Sequence, residues 1–239
     1  MADGAVVRKI LEIITALQLD APGVISASRP SNGLFEGWQN EIGIDHSTWA
    51  ITDPATGAGW ARGAIGELLM AYSSPNAIEA CRLLSNYRFI VSPGLYGTNK
   101  ILRKFFLEWE THVINLANLD NVTCFWGLTP GVADVRTNNN IIGFGLVGVG
   151  NALQSITDAG GAETVNTGFG ENLLVTNKLK IAVSVNSVKF YVNEVEVANH
   201  VTNLPSNAPL YLNFFTPTGA GGAATIRIGT IRAWNEDLS

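Results

Sequence analysis

Leu179-Lys180-Ile181-Ala182-Val183-Ser184-Val185, then Asn186-Ser187, then Val188-Lys189-Phe190-Tyr191-Val192 is the stretch that decides the fold. Leu179, Ile181, Val183 and Val185 alternate with Lys180, Ala182 and Ser184, so an extended chain here shows one apolar face and one mixed face. Asn186–Ser187 supplies a turn, and Asn193–Glu194 supplies a tight one before Val195–Ala198. A period of two punctuated by short polar turns predicts hairpins.

The same pattern extends both ways along the chain. Leu210–Phe215 and Thr225–Trp234 read as closing strands. In the last of these, Ile226 and Ile228 fall on one face while Ile231 and Ala233 fall on the other. Gly229 stands where a bulge would permit such a change of face. Towards the amino terminus, Leu153–Ile156, Ile141–Val147 and Phe125–Leu128 are strand candidates, and Ile101–Leu116 is the longest regular stretch. Before it come Ser47–Ile51, Ala64–Tyr72 and Tyr87–Val91, separated by turn residues such as Asp53–Pro54 and Pro93–Gly94. Ala77–Leu84 fits a short helix or a strand equally well. No fixed repeat period is present. Many short strands and few helices predict an all-β, antiparallel double-layered sandwich over residues 34–239.

Residues 1–33 read differently, as a short helical arm and linker. Asp3 can cap a helix in which Val6, Val7, Ile10, Leu11, Ile13, Ile14 and Leu17 recur at helical spacing, and Asp20–Ala21–Pro22–Gly23 ends it. Such a stripe must be covered. It packs on the chain's own sandwich or docks into a neighbouring subunit, and for docking the contact residues are Val6, Val7, Ile10, Ile13, Ile14 and Leu17.

Composition narrows the function classes. Of 239 residues, 46% are apolar and only 15% charged, so much of the surface must be Asn, Thr, Ser and Gly, a surface comfortable beside other protein. The net charge of −5 has no basic stripe, which excludes a nucleic-acid footprint. No segment approaches the roughly 20 apolar residues of a membrane span. Glu12 interrupts the one stretch that faintly mimics a signal peptide. Cys81 and Cys124 sit in apolar settings without a metal-ligand pattern, which predicts buried thiols in a reducing compartment and leaves a pairing between them open.

Phe105-Phe106-Leu107-Glu108-Trp109-Glu110, Phe125-Trp126-Gly127-Leu128, Val188-Lys189-Phe190-Tyr191-Val192-Asn193, Val197-Ala198-Asn199-His200, Pro209-Leu210-Tyr211-Leu212 and Ile228-Gly229-Thr230-Ile231-Arg232-Ala233-Trp234 together resemble the concanavalin A-like lectin/glucanase superfamily. That resemblance implies a jelly-roll sandwich. Domains of this look occur in glycosidases, in sugar-binding modules and in structural proteins of tailed bacteriophages, and fold alone does not choose among them.

The enzymatic suspicion falls on Glu108-Trp109-Glu110-Thr111-His112, whose residues 108, 110 and 112 share one strand face. A retaining glycosidase needs two carboxyls about 5–5.5 Å apart. The superfamily's glucanases carry a Glu-x-Asp-x-(x)-Glu strand, whereas here His112 stands third and neither Val113 nor Ile114 restores an acid. The polar face is therefore expected to pair with nearby Arg and Lys. Gly143, Gly145 and Gly148 spell a dinucleotide fingerprint in letters only, since no helix pattern follows. Asp45–His46 is a weak dyad, because neighbouring strand residues face opposite ways. Asp134, Asn138, Asn139 and Asn140 offer oxygens for calcium without an ordered spacing. Trp60, Trp126 and Tyr96 are the aromatic candidates for sugar stacking.

The sequence thus leads to the expectation of a non-enzymatic virion structural protein, a bacteriophage capsid decoration or other surface component assembled in the host cytoplasm. Its partners would be other virion proteins, chiefly capsid subunits, and further copies of itself. It would need no cofactor or metal and would contact neither nucleic acid nor membrane. The alternatives are a lectin-like module for weak host attachment and a degenerate glycoside hydrolase.

Overall fold

The computed structural model describes residues 34–36, 49–52, 58–62, 68–72, 80–90, 103–115, 124–131, 140–146, 152–184, 186–205, 209–217 and 225–237. The amino-terminal arm and its stripe from Val6 to Leu17 lie outside these residues, as do His46, Tyr96, Asp134, Asn138 and Asn139. The described elements are all strands. In chain order they are β1 (Leu34–Glu36), β2 (Trp49–Thr52), β3 (Ala58–Arg62), β4 (Leu68–Tyr72), β5 (Ala80–Ile90), β6 (Arg103–Asn115), β7 (Cys124–Thr129) and β8 (Ile141–Leu146). There follow β9 (Leu153–Ala159), β10 (Ala162–Thr167), β11 (Asn177–Ser184), β12 (Ser187–Val192), β13 (Val195–His200), β14 (Pro209–Pro217) and β15 (Thr225–Asp237).

Two antiparallel sheets face each other. The first runs β13-β12-β11-β6-β15-β4-β3, with β1 added against β15, and the second runs β10-β9-β8-β7-β14-β5-β2. Strands distant in sequence sit side by side in both, as in a jelly roll. The hairpin signature at 179–192 forms as its alternation requires: Leu179 pairs with Val192, Ile181 with Phe190 and Val183 with Val188. Leu179, Ile181, Val183, Val188 and Phe190 are buried, while Lys180, Ala182, Ser184, Ser187 and Lys189 are half-buried. At the next turn Asn193 and Glu194 both take positive φ, 50° and 67°, the backbone of a tight two-residue hairpin turn. The Asn193 side chain accepts from the Lys178 backbone N–H at 2.9 Å and donates to Asn177 Oδ1 at 2.9 Å, which ties this turn to the segment entering β11.

The core lies between the sheets. Trp109 of β6 meets Phe144 of β8 and Phe214 of β14 edge-on, at 5.9 and 5.6 Å between ring centroids. Edge-to-face contacts set the aromatic quadrupoles favourably, and each large side chain so buried contributes about 1.5–3 kcal/mol. The irregularity in β15 resolves the change of face read from its sequence. The register shifts between Ile228 and Ile231, so Ile226, Ile228, Ile231 and Ala233 all join the core. Of Ala77–Leu84, which fits helix or strand, residues 77–79 lie outside the described ones and Ala80–Leu84 is the first half of β5, pairing with β14 and β2.

Candidate functional site

Alternation in β6 buries Phe105, Leu107, Trp109 and Val113, which turns Phe106, Glu108, Glu110 and His112 to the outer face of the first sheet. Registers on either side place the neighbours. Tyr191, Lys180, Glu108 and Arg232 form one row across β12, β11, β6 and β15, and Lys189, Ala182, Phe106 and Trp234 form the next. Three strand spacings make each row about 14 Å long.

The second row is an aromatic platform. The Phe106 and Trp234 rings stack at 5.1 Å with 15° between their planes, and both residues are half-buried. The Trp234 indole N–H donates to Glu236 at 3.2 Å, which fixes the ring's orientation. Ala182 continues the row with only a methyl group, so the platform ends in a shallow step beside Phe106.

The first row carries the charges. The Glu108 side chain is only 11% exposed and accepts from Lys178 at 3.1 Å, with the Arg232 guanidinium 3.7 Å from its other oxygen. Lys178 also meets Glu194 at 2.6 Å, and Lys180 reaches the same carboxylate at 3.4 Å. The hydrogen bond to Glu194, more than the pairing with Glu108, holds the Lys178 ammonium above its ordinary 10.5. The same bond, helped by Lys180, holds Glu194 below its ordinary 4.5. Lys180 lies 5.0 Å above the Tyr191 ring. The expected pairing of this face with Arg and Lys is thus present. Glu110 is exposed and lies back over Gly229, where any Cβ would come within 2.7 Å of its carboxylate oxygen.

The other expectations fare unevenly. Trp126 is wholly buried in the core and offers nothing to a sugar, and of Trp60 only the backbone is described. Gly143 and Gly145 lie within β8, and β9 follows where a dinucleotide fold would need a helix. Asn140 turns its N–H towards Asp158 at 3.4 Å, and among the described residues no group of three or more His, Cys, Asp or Glu could hold a metal. Cys124 is a buried thiol. Phe106, Tyr191 and Trp234 escaped the sequence reading. Phe106 sits between Phe105 and Leu107, and a continuous apolar run hides which members face outward.

No family model matches the chain, and no curated protein matches it. Solved structures do. The Bacillus licheniformis β-glucanase superposes with a TM-score of 0.61 at 14% identity, over 86% of this chain and 99% of that one. The fold is a concanavalin A-like jelly roll. An endo-acting O-glycanase of the human gut microbiota, described as initiating mucin breakdown, gives 0.62 at 12% identity over 86% and 99% of the two chains. A prokaryotic β-1,3-1,4-glucanase (lichenase) from a mouse hindgut metagenome gives 0.55 at 11%, over 84% and 98%.

These likenesses correct the functional expectation. A non-enzymatic virion structural protein is not what the jelly roll's neighbours are; they are carbohydrate-active enzymes, and the outright exclusion of an enzyme falls with it. The physical reason is plain. The sparse charge that suggested a lattice subunit is equally the mark of a sandwich whose strands are buried on both faces, as β7 and β8 are along their whole length. The missing third acid disqualified one strand, not the protein.

Proposed function

We propose that this chain engages carbohydrate on the outer face of its first sheet, with Trp234 and Phe106 as the stacking platform. Glu108, Lys180 and Arg232 are the flanking hydrogen-bonding groups. The single observation that carries this reading is the partly exposed, parallel pair of rings, oriented by Glu236 and bordered within one row by three polar side chains. Sugar rings present apolar C–H faces edged with hydroxyls, and a flat aromatic surface ringed by fixed donors and acceptors complements both. The structural likeness to enzymes acting on β-glucan and mucin glycans supports the same ligand class.

A glycan array followed by affinity electrophoresis in the retained polysaccharide tests this. Trp234→Ala is expected to weaken retention about thirtyfold, the loss of about 2 kcal/mol that a central aromatic contact supplies. Unchanged retention by the folded variant would sink the proposal.

A second reading, hydrolysis, is favoured by the shared face of Glu108 and Glu110 and by the hydrolytic activity named for the neighbours. It predicts reducing-end release from a mixed-linkage β-glucan that Glu108→Gln and Glu110→Gln each abolish.

A further inference from the structure

The two sheets meet at one end through their terminal strands, β13 of the first and β10 with β9 of the second. His200 occupies that junction. Its imidazole, wholly buried, stands on β13 and reaches across to the other sheet. Nδ1 is 2.9 Å from Thr157 Oγ1, and Nε2 is 2.9 Å from Ser155 Oγ and 3.0 Å from Asn166 Nδ2. The Phe190 ring covers it at 4.8 Å.

With its amide nitrogen on Nε2, Asn166 donates there, which places the ring proton on Nδ1, donated to Thr157. A second proton would turn Nε2 into a donor facing the Asn166 donor, and the charge would lie in a buried site. Among the described residues no counter-charge answers it. Asp158 of β9 faces the other way, towards the N–H groups of Asn140 and Gly161. Glu163 of β10 is exposed next to the inward Thr164, and on β12 and β13 Lys189 pairs outward with Glu196. Burial accordingly pushes His200 from the ordinary 6.5 down to about 4.

What His200 holds is thinly anchored. β10 pairs in the sheet with β9 alone, and of its six residues only Thr164 is less than exposed. Beyond His200, Thr164 meets Thr202 at 3.3 Å and Asn203 at 3.0 Å, in the segment that follows β13. We propose that His200 is an acid-released latch: neutral, it clasps the β9–β10 hairpin onto β13, and on protonation it lets β10 swing free while the central strands stay folded. The sign follows from linkage. The opened state binds a proton from about pH 6.5 downward and the closed state does not until about pH 4, so closure is fully favoured above that window and lost on falling through it.

Hydrogen exchange read by mass spectrometry, corrected for intrinsic rates, decides the matter. Between about pH 7 and about pH 5, opening of residues 162–167 is expected to rise about twentyfold relative to β8, the ratio of proton binding by the two states. His200→Gln, which supplies a donor and an acceptor without titrating, should remove that pH dependence. Should the variant fail to fold, an NMR titration of the wild-type imidazole still decides. A ring titrating near its ordinary value, or β10 exchange that ignores acid, would overturn the latch.

Discussion

The outer faces of the two sheets are built on opposite principles. On the first, the outward side chains of β6, β11, β12 and β15 include lysines, glutamates, arginines and half-buried rings, and charges on this face are joined at 2.6 to 3.7 Å. On the second, the outward residues of β7, β8 and β9 include Phe125, Ile141 and Ile156, which form a buried cluster of their own, and the glycines 127 and 143. The first sheet presents chemistry; the second is closed off on both sides along β7 and β8. Recognition is therefore sought on the first face, and stability against strand separation at the centre of the second sheet.

Glycines give the sharpest way to break that contrast. At Gly127 a Cβ would run into the backbone of Ile142 and Gly143, which cannot move aside without parting β7 from β8. Gly127→Ala is expected to cost about 3 kcal/mol, read from the urea midpoint. Gly229 on the first sheet meets the Glu110 side chain, whose carboxylate can swing towards solvent but whose Cβ, 2.9 Å from the added carbon, shifts only with β6, and Gly229→Ala is expected to cost about 2 kcal/mol. Equal costs would mean that the first sheet's bulge is as tightly closed as the second sheet's centre.

Two phenylalanines sharpen the same contrast. Phe125 is 2% exposed, and its ring lies over Gly143, which has no side chain to refill the space. Phe125→Ala is expected to destabilise by about 3–4 kcal/mol. Phe106 is half-buried and rests mainly on Trp234, so Phe106→Ala is expected to cost about 1 kcal/mol while impairing glycan retention. The pair separates folding from function within one fold.

How much of this was legible depended on which signal each residue left. The hairpin at 179–192 was readable because lysine and serine mark its outward positions, and the long strand at 103–115 because Glu108, Glu110 and His112 stand at every second position. The polar face of β6 was found for the same reason, and Glu108 and its cations fall where alternation puts them. β10 left no trace: Ala162–Thr167 is exposed on both faces, so it has no hydrophobic period, and it is a strand because β9 offers it an edge. The platform was hidden in an apolar run, and Trp234 is separated from Phe106 by more than a hundred residues that only the topology folds away. His200 showed no partner in the sequence, because those at 155, 157 and 166 belong to the other sheet.

The smallest expected effect concerns the ion pairs themselves. Glu108→Gln keeps the shape of the side chain but removes the charge that Lys178 and Arg232 share. Lys178 retains Glu194, and Arg232 is half-exposed to water, so neither cation is stranded in a dry site. The cost is therefore expected to stay near 1 kcal/mol, and to shrink in about 1 M salt, where screening weakens the wild-type pairing while leaving the glutamine's hydrogen bonds intact. A loss several times larger, insensitive to salt, would show that Glu108 is bound into the sheet as firmly as Phe125. Glu108 would then belong to the scaffold, and the platform beside it would be left with Lys180 and Arg232 as its flanking groups.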